Sequence, residues 1–181
     1  VPSRIPEEGT KANRSRDTLL YATVFAMGLI PYLNTMVFGF AYDDGQQIVT
    51  NPYLRSFHYL KQILTTPVWS FKYANIPTNY YRPLMSLEYL LLYQAYGPLA
   101  YIFHLANVVI NAAVAVLLFA VTRRLFKSTQ IAFVTAIIFA VHPIHTESVA
   151  WIADVPDLQL AALLLLSFWF FLNLGDSERP A

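Results

Sequence analysis

Four apolar stretches decide what this chain can fold into. They run from about Thr18 to Ala41, Ala100 to Thr122, Gln130 to Trp151 and Leu158 to Leu174. Each is close to the roughly 17–25 residues that a bilayer requires of a crossing helix. A helix satisfies its backbone N–H and C=O groups internally, so lipid can hold such runs. Composition agrees: 56% of the 181 residues are hydrophobic and 13% are charged, with mean hydropathy +0.44. A soluble domain carries about 25% charged residues. The sequence therefore predicts an all-α integral membrane protein with the lipid bilayer as its first partner.

Other classes fall away quickly. A net charge of +1 leaves no basic surface for nucleic acid. With no Cys, disulfides, thiol chemistry and Cys-based zinc sites are excluded. The sequence holds no P-loop, no GxGxxG and no Ser-His-Asp set. Residues 1–17, "VPSRIPEEGTKANRSRD", read as a cytoplasmic tail, because the apolar run behind them is too long for a signal-peptide h-region. Residues 18–181 read as one membrane domain.

A fifth apolar stretch, "PLMSLEYLLLYQAYG", starts at Pro83 and stops at Gly97-Pro98. It is only about 14 residues long, a length typical of interfacial or re-entrant segments. Charge parity decides how to treat it. Lys11, Arg14 and Arg16 precede the first span, and "TRRLFK" (Arg123, Arg124, Lys127) follows the second. Both clusters lie inside, as the positive-inside rule requires, only if the short segment does not cross. The expected topology has four spans, both termini cytoplasmic, and an outer loop from Tyr42 to about Pro98. In that loop Phe57, Leu60 and Leu64 stand at i, i+3 and i+7 behind Ser56 as N-cap, the pattern of an amphipathic helix lying on the membrane.

The polar residues gather on the outer side of this topology. Asp43 and Asp44 end the first span, and Arg82 precedes the short helix. His142, His145 and Glu147 end the third span, and Asp154 and Asp157 open the fourth. Ionisable groups at membrane depth are costly and mark functional sites, whereas charges at helix ends also serve as water-facing anchors. His142, His145 and Glu147 are eligible ligands for a divalent metal, although Pro143 breaks the helical register and the spacing is not HExxH. His104, Asn107 and Asn111 form one stripe of the second span. That stripe reads as an interhelical hydrogen-bonding face. Ligation of a tetrapyrrole by His104 is the weaker alternative.

Asp43-Asp44, "NPYL", "YRPL", the stripe with His104 and Asn107, and "HPIHTESVAWI" follow one another in an order that resembles the membrane region of GT-C glycosyltransferases. The similarity is greatest to the transmembrane-and-tetratricopeptide-repeat O-mannosyltransferases and their bacterial relatives, and it runs from about Phe38 to Leu174. The resemblance implies transfer of a sugar from a polyprenyl-phosphate donor to an acceptor such as a Ser/Thr hydroxyl of a protein. The resemblance also implies that the reaction takes place on the outer or luminal face of a bacterial inner membrane or the endoplasmic reticulum. It implies that Asp43 or Asp44 acts as general base, that Arg82 meets the donor phosphate, and that His142, His145 and Glu147 shape the site. The pattern departs at "WIADVPDLQL", where Asp154 and Val155 replace the family's Gly-Arg while Asp157 and Leu158 keep their places. If the chain were complete at 181 residues, the alternative expectation is a truncated, non-catalytic four-span relative serving as a structural subunit of a larger membrane complex.

Overall fold

The computed structural model describes residues 7–73 and 79–177. Every regular element among them is helical. Helix α1 (Glu7–Leu29) continues through a tighter 3₁₀ stretch, Ile30–Val37. The long loop that follows carries short turns at Gly45–Val49, Pro52–Arg55 and Phe57–Tyr59, followed by α2 (Leu60–Thr65). Next come α3 (Pro83–Tyr96), α4 (Ala100–Phe126) and α5 (Thr129–Val141). The chain closes with α6 (Thr146–Ala150) and α7 (Val155–Ser177).

Asn13–Val37, Ala100–Phe126 and Ile152–Leu174 are long and apolar enough to cross a membrane. A fourth candidate is a pair, Thr129–Val141 and Pro143–Ala150, bent by 47°. Gln130–Trp151, expected as one span, folds as these two helices with a bend between them. Pro143 forces the residue before it out of the helical region, and His142 sits at φ −70°, ψ 128°. The first helix also starts earlier than expected, at Glu7, inside the segment read as a tail.

Helix α4 is the axis of the bundle. Its buried residues include Phe103, Val108, Ala112, Ala115 and Phe119, together with all three of His104, Asn107 and Asn111. The polar stripe therefore faces protein. Asn111 Nδ2 donates to Gly28 O at 2.8 Å, and Asn107 Nδ2 donates to Trp151 O at 3.1 Å. His104 Nε2 lies 3.4 Å from Gly39 O. On α5, Ala132, Ala136 and Ala140 are all fully buried at i, i+4 and i+8. Small residues at this spacing let helix backbones approach closely in a membrane.

The tightest approach is at Gly28 of α1. A Cβ there would stand 2.8 Å from the Cα of Ala112 on α4. We expect Gly28→Leu to push the two helices apart and remove the Asn111 bond, at a cost of about 1–3 kcal/mol or more. Gly28→Ala should do less. Melting of the detergent-solubilised protein measures both, and a Leu variant as stable as wild type would refute the packing account.

At one end of the bundle Arg123 Nη2 of α4 meets Asp17 Oδ2 of α1 at 2.9 Å. Both groups are partly exposed, so the pair contributes about 0–1 kcal/mol. Its use is as a marker, because the basic clusters of α1 and α4 share this end.

Candidate functional site

The opposite end holds the first-loop acids. After the chain turns extended at Phe38, Tyr42 adopts φ 48°. This left-handed turn swings Asp43 and Asp44 back toward the bundle, in different directions. Asp44 is fully buried. Its Oδ2 accepts from the Ala41 N–H at 2.9 Å and its Oδ1 from the Ala153 N–H at 3.0 Å. Asp44 thus ties the loop after the first helix to the turn that precedes α7. Asp43 accepts from Gln47 Nε2 through Oδ2, and its Oδ1 is buried without a partner.

Asp43 opens onto a cavity of about 290 Å³, which it lines together with Gln47, Trp69, Arg82, Trp151 and Asp154. Arg82 reaches it because Pro83, with its fixed φ, begins α3 directly behind it. The half-buried guanidinium lies 5.4 Å from the centre of the Tyr80 ring, and Nη1 donates to Ala153 O at 3.4 Å. Asp154 is oriented by Ser148, whose Oγ donates to Oδ2 at 2.7 Å.

The cavity therefore brings together Asp43 and Arg82. Asp44 stands behind the wall and is not on the lining. His142 and Glu147 are exposed, and His145 is half-buried against Phe139, with ring centres 4.2 Å apart. The rings of His142 and His145 are 6.2 Å apart, and His142 Nδ1 accepts from the Ile144 N–H at 3.2 Å. Among the described residues no three His, Asp or Glu side chains gather as a metal site.

Sequence reasoning gave no role to Gln47. The available signal was its position four residues after Asp43 in "DDGQQ", one helical turn away. Asp154 was visible only as one outer acid among several.

Burial raises the Asp44 pKa from 3.8 to about 6; its two backbone N–H bonds oppose the rise, and the neighbouring charge of Asp43 adds to it. Between those values the folded protein holds the proton more tightly than the unfolded chain does. Stability from this group therefore falls as pH rises from about 4 to about 6, then levels, by about 3 kcal/mol in all. We expect the wild-type melting temperature to fall over that range relative to that of Asp44→Asn, which has no carboxyl group to titrate. Parallel pH profiles for the two proteins would contradict this.

Protein O-mannosyl-transferase TMTC1 of Homo sapiens is 39% identical over 132 residues, which is 71% of this chain and 15% of that protein. The homologues of this chain are protein O-mannosyltransferases. TMTC2 of Mus musculus is 33% identical over 149 residues, 82% of this chain and 18% of the relative. Protein O-mannosyl-transferase F38B6.6 of Caenorhabditis elegans is 29% identical over 171 residues, 90% of this chain and 24% of the relative. This bears out the resemblance to TMTC enzymes of the GT-C superfamily. The chain spans about a quarter or less of the O-mannosyltransferases it matches. No family model matches it, and no solved structure does. Its apolar helices and these homologues mark an integral membrane protein.

Proposed function

We propose that this chain builds part of the active site of a glycosyltransferase that moves a sugar from a polyprenyl-phosphate donor to a hydroxyl acceptor on the outer or luminal face. The names of the homologues point to mannose and a protein acceptor. The observation that carries the reading is the shared cavity of Asp43 and Arg82. Asp43 takes the proton of the acceptor hydroxyl as its oxygen bonds to the anomeric carbon. The bond from that carbon to the phosphate oxygen breaks, and the lipid phosphate leaves with the electron pair. Arg82 meets the growing negative charge with a planar fork of N–H donors. Asp44 positions rather than reacts, because both its oxygens are held by backbone N–H groups.

Four spans with both termini cytoplasmic would place the cavity outside. Three features support that arrangement. The Asp17–Arg123 pair lies at the basic end, α3 is only 14 residues long, and Phe57, Leu60 and Leu64 are exposed together in the outer loop. Cysteine labelling from outside should reach replacements at Gly45 and Gly97 and miss one at Ser128. Outside labelling at Ser128 in intact cells would overturn the topology.

The chemistry is tested with the full-length protein in native membranes, supplied with polyprenyl-phosphate mannose. Arg82→Lys should raise the donor KM about tenfold or more, since Lys cannot copy the fork. An unchanged donor KM would remove Arg82 from the phosphate site. Wild-type protein inert toward polyprenyl-phosphate sugars would leave the structural-subunit alternative standing.

A further inference from the structure

The cavity holds more hydrogen-bond acceptors than the base and the phosphate contact require. Gln47 lines it and is 4% exposed. Its Nε2 is committed to Asp43, which fixes the amide orientation, and its Oε1 is buried with no partner. Asp43 Oδ1 is likewise buried and unpartnered. Asp154 adds a third acceptor, held on the lining by Ser148. Arg82 faces these as the charged donor, with one N–H already directed to Ala153 O.

Buried acceptors without partners are unfavourable, so the complementary ligand brings donors. A phosphate group brings acceptors and satisfies only Arg82. A pyranose ring brings several O–H donors, and its C–H groups suit aromatic neighbours, of which Trp69 and Trp151 are on the lining. The volume of about 290 Å³ lies at the lower edge of the roughly 300–1,000 Å³ typical of ligand pockets, suited to one sugar rather than a chain.

We propose that Gln47 and Asp154 form the subsite for the donor's sugar ring, Gln47 Oε1 and the Asp154 carboxylate accepting from its hydroxyls. The inference rests on the donor reading above and deepens it. The ligand class is a neutral hydroxylated monosaccharide carried on a lipid phosphate. A uronic acid is disfavoured, because its carboxylate would meet Asp43 and Asp154. Ser148 is a positioning residue, acting through Asp154.

The test separates the sugar from its lipid phosphate. Full-length protein in nanodiscs is titrated with polyprenyl-phosphate mannose and, separately, with bare polyprenyl phosphate. Asp154→Asn and Gln47→Leu should weaken binding of the glycosylated lipid about tenfold or more and leave bare lipid phosphate unchanged. Ser148→Ala should weaken the same ligand less. Arg82→Ala should weaken both ligands. Should Gln47→Leu fail to fold, Asp154→Asn, half-exposed on the lining, carries the test alone. Equal loss for both lipids, or none for either, in an Asp154→Asn protein with wild-type melting would overturn the subsite. Unchanged binding of both lipids in Arg82→Ala would instead remove the phosphate reading, a separate result.

Discussion

Asp43→Asn should lower transfer by about 10²–10⁴-fold, the usual effect of losing one general base, with donor binding nearly unchanged. Asn has the same shape and keeps an acceptor for Gln47, whose amide donates to Asp43 in the wild type. What it lacks is basicity. A base is needed as the acceptor proton moves, so the loss falls on the transition state and on kcat. Single-turnover transfer from polyprenyl-phosphate mannose, beside donor titration, measures both terms. Full transfer activity in this variant would end the base assignment. A melting temperature equal to wild type should accompany the loss.

Asp44→Ala should act through the fold. It leaves the Ala41 and Ala153 N–H groups without the carboxylate oxygens that accept from them at 2.9 and 3.0 Å. An unsatisfied buried donor costs about 1–3 kcal/mol, so the pair costs about 2–6 kcal/mol, a large part of the roughly 5–15 kcal/mol that holds a typical domain. Yield and melting temperature should fall together, and activity should be lost with the folded fraction. Asp44→Asn keeps one acceptor and should lose less. Wild-type stability in Asp44→Ala would show that water replaces the carboxylate at no cost. Two adjacent acids would thus fail in opposite ways, one keeping its fold and the other losing it.

That contrast marks the limit of what the sequence discloses. Apolar runs reveal spans because lipid acts on each helix locally, and α4 and the first and last spans lie near their expected positions. The stripe of His104, Asn107 and Asn111 was legible for a related reason: an i, i+3, i+7 spacing puts three groups on one face, and all three are buried. The pair Asp43-Asp44 shows only that two carboxylates are adjacent. Which one turns toward the cavity depends on the left-handed turn at Tyr42 and on a peptide N–H at Ala153, 109 positions away. Placing residues at the outer ends of spans likewise tells which side they share, not which cavity. Glu147 and His142 are on the surface, while Gln47 and Asp154 are on the lining. The break at His142 follows from Pro143, but the sequence does not give its 47° angle.

The Asp44–Ala153 link also sets an order of events during synthesis. Its two ends are separated by 109 residues, and a ribosome adds about 5–20 residues each second. For some 5–20 s after Asp44 emerges, the backbone N–H that will donate to its Oδ1 does not exist. Over that interval the cavity has no far wall, and the nascent first loop must wait, hydrated and ionised, for the turn before α7. The cavity end of this protein is thus among the last parts of the described chain to assemble, although its acids are among the first to be made.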